Sequence, residues 1–331
     1  MFFRLFTALI RLLVPRSCYA KAFGVCNVLF YGGISSGRQF ITLFRKPDGA
    51  KPLKNIPDEL LDDFTQGGKI PVQRWFIDNR ASFPVRNTKE KYASAFSRLD
   101  NRTFKYYGKD MLSFYNALND YDLSGKTALI LGLAGCNCDA MALWKKAKRV
   151  VVSDYNKPVC EHENVTVLSM EEMRGGVKSG DLRVDCAFSF SSFEHDGLGR
   201  YGDPISPDAD IRAMEFAGKA VKEDGILFLG VPLGQDCLVW NAQRIYGKIR
   251  LRLLLKDWLC LDAYYHERRD FFTEPLGFYY QPLLVLQNTR PTQEKILDRL
   301  AYSETLLKQE KKNTRSGELL GEVLRIQRGA A

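Results

Sequence analysis

From Gly125 onward, short apolar runs alternate with amphipathic stretches, a pattern that predicts strands alternating with helices. Thr127–Leu131, Arg149–Ser153, Val165–Leu168, Val184–Phe190 and Gly225–Val231 are runs rich in Val, Leu, Ile and Phe. Such runs are apolar at most positions rather than at every second one, as expected of strands buried on both faces. Helices are expected between them over about 139–146 and 208–221. Trp258–Tyr265 and Phe278–Leu286 read as two late strands joined by a polar segment. This alternation implies crossover connections and a mainly parallel sheet covered by helices on both sides.

The flanks follow other patterns. Residues 1–47 form a basic, amphipathic leader in which Arg4, Thr7 and Arg11 make one polar stripe of a helix otherwise covered by Phe2, Phe3, Phe6, Leu9 and Leu13. The arginines break the run below the roughly twenty apolar residues a membrane-spanning helix needs. Three readings are left: an interfacial helix at a membrane surface, a targeting segment for an organelle or the secretory route, or a helix docked on the body. Residues 48–120, with loop-forming prolines and glycines first and aromatic-rich helical segments later, read as an N-terminal helical cap. The α/β domain spans 121–287, and 288–331 reads as a charged, peripheral helix with a tail.

Composition narrows the classes. The 331 residues are 45% hydrophobic and 12% aromatic, values of a packed globular protein. The formal charge is +9, and Arg4, Arg11, Arg16, Lys21, Arg38, Arg45 and Lys46 supply most of it, with no acidic residue before Asp48. The remaining body is near neutrality, which argues against a nucleic-acid groove. The eight cysteines lack a zinc-ligand rhythm, and with three histidines in all no metal centre is expected. Cys186, Cys237 and Cys260 lie in apolar runs as small core residues, which fits a reducing compartment and a cytoplasmic location, peripheral to a membrane if the leader binds one.

Candidate chemistry collects at the carboxyl ends of the strands, where open α/β sheets place their ligands. After the first strand, Gly132, Ala134 and Gly135 allow a cofactor to approach the backbone, and the following helix start offers free N–H groups. Asp154 ends the second strand, placed to accept from both hydroxyls of a ribose. Tyr155 and Ser191, at the ends of the second and fourth strands, complete the cofactor-side set. The loop Ser189–Asp210 is the densest in chemistry. Gly197, Gly199 and Gly202 imply a constrained path around Glu194, His195, Asp196, Arg200, Tyr201 and Asp203. His195 is the natural general base, because an imidazole titrates near neutrality. Asp203 and Asp196 are alternatives, and Arg200 suits an anionic acceptor. Tyr201, Asn241, Arg244 and Tyr246 are acceptor-side candidates.

Two local sequences resemble class I S-adenosylmethionine-dependent methyltransferases: Ser192-Phe-Glu-His195 after the fourth strand, and Ala220-Val-Lys-Glu-Asp-Gly-Ile-Leu-Phe228 leading into the fifth. Three others, Asp196–Asp208, Val231-Pro-Leu-Gly234 and Val239–Gly247, resemble the domain of unknown function 268 family over about residues 120–285. The resemblance implies a doubly wound, mostly parallel seven-stranded sheet of the class I methyltransferase type, the two late strands forming an antiparallel hairpin at its edge. It also implies S-adenosylmethionine as cofactor and methyl transfer to a small-molecule or glycan-like acceptor. A non-catalytic binding or scaffold module at a membrane surface and a nicotinamide-dependent oxidoreductase are the alternatives.

Overall fold

The computed structural model describes residues 51–80, 84–103, 108–133, 138–155, 157–265, 271–308 and 316–329. Gly49–Asn79 and Pro84–Ala331 form one compact unit. Of the other, Met1–Asp48 with Arg80–Phe83, only Arg80 is among the described residues, so the expected leader lies outside them. Among the described residues no helix is long and apolar enough to cross a membrane.

The elements, in chain order, are helix α1 (Leu61–Thr65), strand β1 (Val72–Arg74), helices α2 (Lys89–Asp100) and α3 (Gly108–Asp120), strand β2 (Thr127–Leu131), helix α4 (Cys138–Trp144) and strands β3 (Arg149–Ser153) and β4 (Val165–Leu168). Helix α5 (Met170–Ser179), strand β5 (Val184–Phe190), helix α6 (Ala209–Ala220) and strand β6 (Val221–Gly230) follow. Then come β7 (Cys237–Trp240), β8 (Gln243–Ile245), α7 (Arg250–Leu254), β9 (Leu259–Tyr264), β10 (Leu283–Gln287), α8 (Gln293–Lys308) and α9 (Gly317–Arg328). Local chemistry sets several boundaries. Ser169 and Glu172 make a reciprocal capping box at the start of α5, and Gly180, at φ 85°, ends it.

Seven strands pair in the order β9-β10-β6-β5-β2-β3-β4. From β4 to β6 neighbouring strands are parallel, and β10 alone runs antiparallel to both β6 and β9. This order, with its reversed next-to-last strand, is that of the class I methyltransferase fold. Alternate residues feed two cores. Leu129, Leu131, Val151, Ala187, Leu227 and Leu229 face one cluster, while Ala128, Ile130, Val150, Val152, Phe188 and Phe228 face the other. Helix α3 belongs to the second layer, where Phe114 meets the Phe190 ring edge to face at 5.1 Å. A two-faced core explains why the strands read as continuous apolar runs.

Two features depart from the linear reading. The final segment forms two helices rather than one, and Leu319, Leu320, Val323 and Leu324 of α9 are fully buried in the first core. Gln327 on the same helix exchanges hydrogen bonds with the Cys260 N–H and the Leu255 and Trp258 carbonyls. The second departure is a small sheet after β6. There β7 pairs antiparallel with β8 and parallel with β1, some 160 residues away in sequence (Val72 opposite Leu238). Trp240 of this sheet packs edge-on against Phe64 of α1 at 5.2 Å, so the N-terminal segment closes over the end of the sheet that carries the loops described next.

Candidate active site

The strand order reverses between β2 and β5, the position at which open α/β sheets hold their ligands. At the end of β2, Gly132 takes φ 80° and donates its N–H to the Ser153 carbonyl. A Cβ on Gly132 would lie 2.2 Å from Ser192 Oγ, so only glycine lets the two loops approach this closely. Ala134 and Gly135 lie outside the described residues. Asp154, just past β3, accepts the Leu133 N–H on Oδ2 at 2.8 Å. Its neighbour Tyr155 is half exposed, with its phenol held above the usual range by burial and then by the charges of Asp196 and Asp203. Ser191 follows β5 at φ 51°, its N–H bonded to the Gly230 carbonyl. Gly132, Asp154, Tyr155 and Ser191 therefore gather around the exits of β2, β3 and β5.

The loop after β5 is held by its own residues. Asp203 Oδ2 accepts the N–H groups of Gly197 (2.8 Å) and Gly199 (3.1 Å), and Oδ1 accepts that of Tyr201 (3.1 Å). Three amide bonds to one carboxylate make Asp203 the internal clamp of the loop. Gly197, Gly199 and Gly202 all take positive φ; a Cβ on Gly197 would lie 2.2 Å from the Ser206 carbonyl oxygen. The constrained path read from these glycines is thus formed, and its cause is the clamp.

Arg244, on β8, pins the same loop from below. Its Nη1 donates to the Asp196 carbonyl at 2.6 Å, and Nη2 to those of Ser206 (3.2 Å) and Pro207 (3.1 Å). Beneath it Asp210 is fully buried, bonded by the Tyr246 hydroxyl at 3.0 Å and by Arg250 at 3.1 and 2.5 Å. The two guanidinium groups, Arg244 first, hold the Asp210 carboxyl below its usual range against the effect of burial. Asn241 pairs through its side-chain amide with the backbone of Ile77, accepting its N–H and donating to its carbonyl, both at 2.8 Å. The side-chain polar groups of Asn241, Arg244 and Tyr246 are thereby directed at the protein itself, whereas Tyr201 stands beside His195, ring centroids 5.9 Å apart.

Glu194 and His195 occupy the centre, on a single 3-10 turn, Phe193–His195. His195 Nδ1 lies 2.7 Å from the Ala242 carbonyl oxygen, which assigns the Nδ1–H tautomer because two acceptors do not approach so closely. Arg200 donates from Nη1 to the same carbonyl at 3.2 Å and from Nε to Asn79 Oδ1 at 2.9 Å. Nε2 of His195 lies 3.6 Å from Glu194 Oε1. Burial, and then the positive charge of Arg200, lower the His195 pKa to about 3. Glu194 is fully buried, and neither of its carboxyl oxygens has a hydrogen-bond partner among the described residues. Burial raises its pKa to about 7 despite nearby donors at Ser191 and Ser192 and the charge of Arg200. Asp196 is likewise pushed well above the ordinary range by burial and by Asp203.

The sequence singled out this loop but gave no role to Glu194, a fully buried carboxyl without a hydrogen-bond partner among the described residues. Its signal was adjacency to His195 at the end of an apolar strand. Asn79, which orients Arg200, had no signal, since it reaches the site from 121 positions away. Among the described residues, no three or more His, Cys, Asp or Glu side chains gather as a metal site.

The strand order, with its one reversed strand, defines a class I methyltransferase-like α/β domain. Residues 125–274 match the family described as "Caenorhabditis protein of unknown function, DUF268". No curated protein matches the sequence. Among solved structures the chain is similar to 1,6-didemethyltoxoflavin-N1-methyltransferase of Burkholderia thailandensis, crystallised with 1,6-didemethyltoxoflavin and S-adenosylhomocysteine. The identity is 16% and the TM-score 0.40, over 60% of this chain and 87% of that one. It is similar also to a provisionally named hemolysin of Streptococcus thermophilus, with 13% identity and a TM-score of 0.37 over 63% and 78% of the two chains. A third is a provisionally assigned S-adenosylmethionine-dependent methyltransferase of Streptococcus mutans, with 12% identity and a TM-score of 0.35 over 54% and 48%. The fold assignment rests on the strand order, not on these likenesses.

Proposed function

We propose that this protein is an S-adenosylmethionine-dependent methyltransferase acting on a small-molecule or glycan-like hydroxyl acceptor. The observation that carries the reading is the bond from the Leu133 N–H to Asp154, beside Gly132 and across the exits of β2 and β3, in a sheet whose order and single reversed strand are of the methyltransferase type. The residues fit such a cofactor. Gly132 brings the β2 and β5 loops together at Ser192, Asp154 offers a carboxylate at the proposed ribose position, and Ser191 and Tyr155 follow the neighbouring strand ends. Ala134 and Gly135 belong to the same proposed cradle. When bound, S-adenosylmethionine supplies an electrophilic methyl on a sulfonium, so the protein need only align the acceptor and take up its proton.

In this reading His195 is the base, acting through Nε2, the nitrogen that does not bond the Ala242 carbonyl. Arg200 orients the imidazole's surroundings through Asn79 and Ala242, and Asp203 and Arg244 fix the loop that presents the pair. Asp203 and Asp196 fit a base role less well, the first because its oxygens already accept three amides. Titration calorimetry of the full chain with S-adenosylhomocysteine and with NAD tests the cofactor. Binding of the first alone supports the proposal, binding of NAD alone supports an oxidoreductase, and binding of neither supports a scaffold module.

The leader suits peripheral attachment to an anionic membrane surface, on the strength of its arginine stripe and its lack of acidic residues.

A further inference from the structure

We propose that Glu194 is the proton acceptor behind His195, so that the two side chains work as one buried base and Glu194 carries the proton away from the acceptor hydroxyl. This rests on the methyltransferase reading above. Glu194 is the one glutamate or aspartate among the described residues that is fully buried with both carboxyl oxygens unpartnered. A buried carboxyl is normally satisfied, because an unmade bond there costs more than the bond contributes when made. Asp210 and Asp203, in the same shell, are satisfied several times over. The exception sits 3.6 Å from the only imidazole nitrogen in the loop that bonds no backbone carbonyl.

The proton balance closes within the pair. At rest Nδ1 carries its hydrogen toward Ala242, Nε2 holds a lone pair, and Glu194 is a carboxylate. The acceptor hydroxyl loses its proton to Nε2, whose imidazolium passes it to Glu194 Oε1, giving neutral imidazole and a carboxylic acid. After product leaves, the carboxylic acid returns the proton to water. A histidine alone in this setting would be a weak base, since burial and Arg200 both oppose its charged form. An adjacent carboxylate that prefers to be neutral reverses that disadvantage, because protonating the pair removes a buried charge instead of creating one. The groups that act on the pair are the cations Arg200 and Arg244, the carboxyl of Asp196 and the phenols Tyr201 and Tyr246, with Asp203 and Asp210 acting in turn on Asp196.

The test needs no acceptor. The full chain is labelled with 15N in histidine and 13C at the glutamate carboxyl, and followed by NMR from pH 5 to 8.5. Both side chains are assigned in the parent by through-bond correlation with their backbone signals on a uniformly 13C,15N-labelled sample. The expected result is one proton taken up near pH 7, seen at the Glu194 carboxyl and, with the same midpoint, at His195 Nε2. In Glu194→Gln the His195 signals stay flat across this range, while affinity for S-adenosylhomocysteine, measured by calorimetry, changes less than about twofold. Two outcomes overturn the proposal: a Glu194 carboxyl that titrates near pH 4.5 in the parent, or His195 signals that move alike in parent and variant. The parent titration decides even if the variant does not fold. Loss of S-adenosylhomocysteine binding by the parent would overturn the cofactor reading instead, and is read separately.

Discussion

Asp154 Oδ2 accepts the backbone N–H of Leu133 at 2.8 Å, which ties the exit of the second central strand to the turn leaving the first. One carboxylate thus braces the backbone of the proposed cofactor cradle and stands at its ribose end. Replacing Asp154 by Ala removes both. The expected loss of affinity for S-adenosylhomocysteine is about 2–4 kcal/mol, the worth of charge-assisted hydrogen bonds in a sheltered site. Calorimetry on the full chain measures it. Unchanged affinity would take Asp154 out of the site.

Gly132→Ala should damage the site through sterics alone. The new Cβ would meet Ser192 Oγ at 2.2 Å and Ser192 Cβ at 2.6 Å, on a residue held at φ 80°. Unfavourable φ by itself costs on the order of 1 kcal/mol or more, and the clash displaces the loop that leads to Glu194. A lower melting temperature together with at least tenfold weaker binding of S-adenosylhomocysteine is expected. A variant with parental values in both would mean that the β2 and β5 loops are free to separate.

His195→Gln should reduce methyl transfer by about a hundredfold or more while keeping cofactor affinity, the usual effect of losing a general base. The amide can still donate to Ala242, so the loop is expected to hold. A fall in melting temperature in step with activity would instead assign His195 a structural role, as the link between the loop and Ala242.

The buried pair also sets how stability varies with pH. Burial raises the Glu194 pKa from 4.5 to about 7, so between these values the folded state keeps a proton that the unfolded chain has released. Stability therefore falls as pH rises through that window. His195 moves the other way. Its pKa drops from 6.5 to about 3, so the unfolded chain gains a proton first, and stability falls as pH drops below 6.5. Glu194→Gln should accordingly be more stable than the parent at pH 8, by on the order of 3 kcal/mol at most, and near parity at pH 4. Urea unfolding at the two pH values checks the sign. A variant less stable than the parent at pH 8 would show that the carboxylate is well solvated or paired in solution.

Residues 1–14 should bring the chain to anionic vesicles. Each large apolar side chain contributes roughly 1.5–3 kcal/mol when fully buried, and each nearby arginine up to about 1 kcal/mol against anionic lipid. Flotation of the full chain with phosphatidylserine vesicles, compared with a chain lacking residues 1–14, measures the contribution. Equal flotation defeats the surface-helix reading, and cleavage of the leader in cells would assign it to targeting.

The sequence by itself determined the sheet. Thr127–Leu131, Arg149–Ser153, Val165–Leu168 and Val184–Phe190 are strands over the residues their apolar runs mark, because a strand with a core on each face leaves few positions free to be polar. Glycine at 132, 197, 199 and 202 likewise announced turns, since positive φ excludes most other residues. Strand β6 was legible only from Gly225, as its first residues, Lys222, Glu223 and Asp224, are exposed and carry no apolar signal. What the tertiary structure alone decided is which polar groups of the crevice are already engaged. Arg244, Asn241 and Tyr246 read from the sequence as acceptor-side candidates, each a polar residue near a strand end, while Glu194 had no role. Their partners, backbone carbonyls at 196, 206 and 207, the backbone of Ile77 and the carboxylate of Asp210, come from distant segments. Hydrogen-bond satisfaction is a property of three-dimensional neighbours, so no periodicity or spacing encodes it. Only once those bonds are in place does Glu194 stand out, as the buried carboxyl without a hydrogen-bond partner among the described residues.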